Sequence, residues 1–117
     1  IHSLKNSQAP TVFGDGEQTR DFIYVEDVVR ACLVAEKKRE VSGGVFNVCS
    51  GVESSLNDLL EVFKGEFPEA PEAVYSDPRL GDVPRSVGDP SLAKNGLGFE
   101  AQIDLSAGLK KTIEVLF

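Results

Sequence analysis

The stretch from Ser55 to Phe67 constrains the fold more than any other part of the chain. Leu56, Leu59, Leu60, Phe63 and Phe67 recur at three- and four-residue spacing, which lays one apolar stripe along an α-helix. Ser55 followed three residues later by Asp58 resembles a capping box, and Pro68 and Pro71 close the segment. A helix with one apolar face must cover another element, and the elements available to it are short. Thr11-Val12-Phe13 stops at Gly14-Asp15-Gly16 and reads as a strand entering a turn. Val45 to Val48 comes after Gly43-Gly44 and reads as a second short strand, and Ala73-Val74-Tyr75 as a third.

The remaining segments alternate without a fixed rhythm. Ile1 to Asn6 reads as the tail of a helix, and Thr19 to Val25, rich in aromatic and β-branched residues, as extended chain. From Asp27 the pattern turns helical, with Val28, Ala31, Cys32 and Ala35 on one face and Lys37, Lys38 and Arg39 at the carboxyl end of the dipole. Asp27 itself reads as an anion satisfying free amide groups at the start of that helix. Asp89-Pro90 suits a helix start, with Asp as N-cap and Pro at N1, and Gly96 to Gly98 ends that short helix. A last helix is expected from about Asp104 to Leu116, with Leu105, Leu109, Ile113 and Leu116 on one side. The pattern defines a small mixed α/β domain over residues 1–117. It lacks the regular strand-helix alternation of a complete doubly wound sheet.

Composition narrows the function classes. A net charge of −7 gives no general attraction for nucleic acid or an anionic membrane, so an anionic ligand must be caught by a few placed arginines. No stretch approaches the roughly 20 apolar residues that span a bilayer, and the default compartment is the cytoplasm. Cys32 and Cys49 sit in apolar surroundings and read as small buried side chains, with no metal site or disulfide framework nearby. The lone histidine, His2, stands near the start of the chain with no catalytic neighbour, and the chain contains no methionine, for which a fragment is the simplest explanation. Gly14-Asp15-Gly16 begins like a dinucleotide fingerprint, yet the residues after it read as a strand, so a tight turn is the preferred reading.

Four motifs then fall in order along the chain. The run from Gly14 to Val28 (Gly-Asp-Gly-Glu-Gln-Thr-Arg-Asp-Phe-Ile-Tyr-Val-Glu-Asp-Val) resembles a segment of the extended short-chain dehydrogenase/reductases that act on nucleotide sugars. Phe46-Asn47-Val48-Cys49-Ser50-Gly51 resembles their FNVGTG element, with Cys49 where glycine is usual. Arg79-Leu80-Gly81-Asp82 resembles their RxGD loop, and Asp89 to Lys94 with Leu97-Gly98-Phe99 resembles DxSKAxxxLGW.

The resemblance implies a two-lobed, NAD-dependent enzyme. Its amino-terminal Rossmann domain would hold NAD and supply a Tyr-x-x-x-Lys pair, and its smaller carboxy-terminal lobe would clamp a nucleotide diphosphate. This chain resembles the second lobe alone. Tyr24 is followed four residues on by Val28 and Tyr75 by Arg79, so neither begins that pair, and the chain by itself is expected to be inactive and to hold no NAD. UDP-hexose 4-epimerases fit best, with nucleotide-sugar 4,6-dehydratases and UDP-glucuronate decarboxylases as alternatives. A free-standing nucleotide-sugar-binding module is a third reading. The partners implied are a UDP-sugar, the Rossmann domain and a second copy in a homodimer, with no nucleic acid, membrane or metal.

By their places in these motifs, Arg20 and Arg79 would grip the pyrophosphate, since guanidinium offers phosphate oxygens a fork of donors. Asp82 would accept hydrogen bonds from ribose hydroxyls, and the backbone at Thr11 and Phe13 would meet the base. Arg85 is expected to face solvent, Tyr24 to pack in a core or interface, and Asn47 to shape a turn or bond backbone.

Overall fold

A computed structural model describes residues 1–116. Its elements run α1 (His2–Lys5), β1 (Thr11–Phe13), β2 (Thr19–Asp21), α2 (Val25–Lys37), a 3₁₀ turn (Arg39–Val41), β3 (Glu53–Ser55) and α3 (Leu56–Glu66). Then come β4 (Val74–Ser76), β5 (Arg85–Ser86), a π-helical turn (Ala93–Leu97) and α4 (Leu105–Leu116). Two small sheets result. In one, β1 runs parallel to β4, with Phe13 opposite Ser76. In the other, β2 lies between an antiparallel β3 and a parallel β5, so Arg20 stands opposite Ser54 on one side and Ser86 on the other.

The Ser55 helix forms as its pattern dictates. Ser55 Oγ accepts from the Asp58 amide at 3.0 Å, and Asp58 returns the bond to the Ser55 amide at 2.7 Å. Those two bonds satisfy donors that a helix start leaves orphaned. Asp89 likewise accepts from the Ser91 amide at 2.9 Å, and the short helix it opens ends at Gly98, whose φ of 69° lies in the left-handed region glycine favours.

Several expectations are corrected. Val45 to Val48 forms no strand; Phe46 and Val48 instead press their side chains onto the core. The extended run stops at Asp21, and α2 starts at Val25 rather than Asp27. Asp27 does not serve its own helix start. It is 1% exposed, and its carboxylate accepts from the amides of Gln102 (2.9 Å) and Ile103 (3.0 Å) and from Arg30. That demand turns the helix by one position: Asp27, Ala31 and Val34 face inward, while Cys32 and Ala35 are exposed. Cys32 is therefore not the buried side chain expected, whereas Cys49 is. Along α4, Leu105, Leu109 and Ile113 are half-buried, but Leu116 is exposed.

The core gathers Ala31, Ala93, Leu97 and Phe99, with Ile23, Val34, Val41, Phe46 and Val48 packed around them. The lobe is flat, 51 × 33 × 16 Å, with a radius of gyration of 16.8 Å against the ~13 Å of a compact domain this long. Its surface of 7814 Å² likewise exceeds the roughly 6,200 Å² expected for a globular protein of this mass. Part of the excess is apolar. Val25, Val29 and Leu33 line an exposed stripe of α2, each more than half exposed.

Candidate functional site

The turn after β1, the start of β2 and the loop between β4 and β5 enclose one hollow of about 360 Å³. Phe13, Gln18, Arg79, Asp82, Val83 and Arg85 line it. The parallel pairing of β1 with β4 and of β2 with β5 brings together residues some sixty positions apart. A second hollow, of about 210 Å³, lies beside α3 among Leu4, Phe63, Phe67 and Tyr75 and is lined by no arginine.

Each candidate side chain has a definite place. The Arg79 guanidinium lies over the Phe13 ring, 3.9 Å from its centre, a cation–π contact. Arg20, on β2, does not line the hollow itself but binds two residues that do, Asp82 and Val83. Its Nη1 donates to the carbonyls of Thr19 and Val83, both at 2.7 Å, and its Nη2 to Asp82 Oδ1 at 2.5 Å. Arg20, Arg79, Asp82 and Phe13 thus converge. Thr11 does not join them; it is exposed at the far end of β1. Arg85 is exposed but not merely solvated, since it forks onto Glu53 at 2.9 and 2.6 Å and holds that carboxyl below its ordinary range. Tyr24 is half-buried against Gly108, with Lys111 over its ring at 5.5 Å, and Asn47 donates to the Asp89 carbonyl at 3.4 Å.

Of the supporting groups, Gln18 and Asp21 lie within the Gly14 to Val28 motif, and Asn57 lies in none of the four. Gln18 donates to the Phe13 carbonyl at 2.7 Å and folds the turn back onto β1. Asn57 braces that turn from α3: it donates to the Asp15 carbonyl (3.2 Å) and Glu17 (2.6 Å) and accepts from the Tyr75 hydroxyl (2.9 Å). Asp21, beside Arg20 in sequence, takes no part in binding that arginine. It accepts from Ser50 amide and hydroxyl, Gly51 and Gly88 at 2.6 to 3.2 Å, tying two loops to the end of β2. Burial alone would raise its pKa; those bonds outweigh it and bring it below the ordinary value. Burial, then the charges of Asp21 and Asp89, push the neighbouring Cys49 thiol up, so it stays protonated and packs as a small apolar group.

Gly16 is the tightest point of the turn. Its φ is 80°, and a Cβ there would stand 2.1 Å from Asn57 Oδ1, on a side chain already held by three partners. Gly16→Ala should therefore cost about 2 kcal/mol from the left-handed backbone and the displaced amide together. A circular-dichroism melt measures it. An unchanged midpoint would mean that Asn57 yields freely and is no brace.

Fold and site together define a flat, mixed α/β fold with an arginine-edged hollow assembled from two loops. Residues 1–49 match the model of the NAD dependent epimerase/dehydratase family. Across 96% of its length the chain is 40% identical to UDP-glucose 4-epimerase of Mycolicibacterium smegmatis, of which it covers 36%. It is 35% identical over 88% of its length to UDP-glucuronic acid decarboxylase 1 of Arabidopsis thaliana, covering 23% of that protein. Among solved structures, UDP-glucose 4-epimerase of Thermotoga maritima with UDP-glucose superposes with a TM-score of 0.90 at 39% identity, over 97% of this chain and 36% of that one. The chain is thus similar to members of the NAD dependent epimerase/dehydratase family, and it spans about a third of the length of the 4-epimerases it matches.

Proposed function

We propose that this chain is the nucleotide-sugar-holding lobe of an NAD-dependent UDP-sugar 4-epimerase. The observation that carries the reading is that Arg79 and Asp82 line one hollow while Arg20, from β2, stands against it through its pair with Asp82. Two guanidinium groups match the charge and oxygen geometry of a diphosphate, and a carboxylate matches the hydroxyls of a ribose. Phe13, at the end of β1, borders the hollow where a base would lie, whereas Thr11 stands away from it. Anchoring at the diphosphate leaves the sugar free to present either face without escaping, so remote binding energy serves the chemistry.

The Gly14-Asp15-Gly16 turn leads into β2, not into a helix amino terminus whose amides could take a pyrophosphate. We assign NAD, which supplies hydride chemistry when bound, and the acid-base groups to the other two-thirds of such a protein. The exposed stripe of Val25, Val29 and Leu33, and the flatness of the lobe, fit a body built to pack against that part. The kinship to 4-epimerases at 40% identity favours them over decarboxylases at 35%. Free thiols at Cys32 and Cys49 suit a reducing cytoplasm. No helix among the described residues is long and apolar enough to cross a membrane.

Calorimetry of the gene product with UDP and UMP tests the clamp. UDP is expected to bind more tightly than UMP, and Arg20→Ala and Arg79→Ala should each weaken UDP about tenfold or more, the worth of a charge-assisted hydrogen bond. Equal affinity for UMP, or indifference to both substitutions, would end the proposal.

A further inference from the structure

We propose that Asp82 makes the hollow selective for ribose-bearing diphosphates over bare ones, by occupying Arg20 until a ribose takes over the carboxylate. The inference rests on the function proposed above and adds a selection step to it.

Arg79, which lines the hollow, and Arg20, which stands behind Asp82 at its edge, are not equivalent. Arg20 has its guanidinium engaged three times, by the carbonyls of Thr19 and Val83 and by the Asp82 carboxylate. Both members of that ion pair are only about one-third exposed, at 31% and 34%, so water screens them incompletely. The Arg79 guanidinium, in contrast, makes no hydrogen bond or ion pair among the described residues and is held only over the Phe13 ring. Asp82 and Arg79 belong to one turn, closed by the bond from the Asp82 amide to the Arg79 carbonyl at 3.2 Å. An incoming anion therefore meets the available guanidinium of Arg79, while Arg20 on Asp82 and Arg85 on Glu53 are already neutralised.

Charge and donor chemistry set the consequence. To use Arg20, an anion must displace a carboxylate, and the displaced carboxylate then stands beside added negative charge. Pyrophosphate has no donor with which to satisfy it once ionised. The two ribose hydroxyls of a nucleoside diphosphate do, because each is a donor and an ionised carboxylate only accepts. The nucleotide thus offsets a penalty that the bare diphosphate carries in full. Asp82 opposes every anion at Arg20 and is reconciled only by a diol next to the phosphates.

Calorimetry of the full gene product with UDP and with inorganic pyrophosphate, in the wild type, Asp82→Asn and Asp82→Ala, tests this. Both substitutions are expected to strengthen pyrophosphate binding about fivefold or more, to leave UDP equal or weaker, and so to shrink the preference for UDP about fivefold or more. Asp77→Asn removes the same charge from the same loop outside the hollow and should change pyrophosphate binding less than twofold. A carboxylate that merely bonded the ribose would give weaker UDP binding with pyrophosphate unchanged, and that result overturns the inference. An equal gain in Asp77→Asn also overturns it, by reducing the effect to general repulsion. If UDP binding ignores Arg20→Ala, the clamp and the selection step fall together; if it needs Arg20 and pyrophosphate does not gain, only the selection step falls.

Discussion

Phe99→Ala is expected to destabilise the lobe by about 3–5 kcal/mol, the largest effect of any single truncation in the core. The ring is 1% exposed, and its buried neighbours Ala31 and Ala93 are too small to relax into the space it leaves. Arg30 lies 4.9 Å from the ring centre and would lose its aromatic partner as well. A loss of this size is a large part of the roughly 5–15 kcal/mol that holds a small domain together. The chain has no tryptophan, so far-ultraviolet circular dichroism against urea is the suitable reading. A cost below about 1 kcal/mol would mean that the core collapses around the gap, and that the centre of the lobe lies elsewhere.

Asp27→Ala should cost about 3 kcal/mol by a different route. The carboxylate joins α2 to the chain entering α4, and its removal strands the Gln102 and Ile103 amides and leaves Arg30 without its carboxylate partner. Asp27→Asn separates charge from shape. Burial by itself raises the Asp27 pKa, but the bonds from Ile103, Arg30 and Gln102 outweigh it, and the folded value lies below the ordinary one. A depressed folded pKa means a contribution present in full above about pH 4, the unfolded value, and lost as pH falls through the folded one. The stability difference between wild type and Asp27→Asn should therefore shrink as the solution is acidified below about pH 4. A difference that stays constant across that range would show the bonds to be indifferent to ionisation.

Helix propensity and turn chemistry are legible in the sequence because they are local. The Ser55 capping box, the Asp89-Pro90 start and the Gly98 stop each depend on residues within four positions, and all three form. The departures share one cause. The face α2 buries is set by the Gln102 and Ile103 amides 75 and 76 residues away, so a hydrophobic count along the helix chooses Cys32 and Ala35 where Asp27, Ala31 and Val34 are right. The Val45 to Val48 run reads as a strand because apolar side chains need burial, but Phe99 and its neighbours supply that burial without a ladder partner.

The candidate site divides the same way. The resemblance carried by short, contiguous motifs marked the arginines at 20 and 79 for a diphosphate and the aspartate at 82 for hydroxyls. Strand pairing decided what they do to one another. The parallel register of β2 with β5 brings Arg20 to the loop that carries Asp82, and the pairing of β1 with β4 brings Phe13 under Arg79. Contacts between residues sixty positions apart depend on how the whole chain closes, and no local pattern encodes that closure.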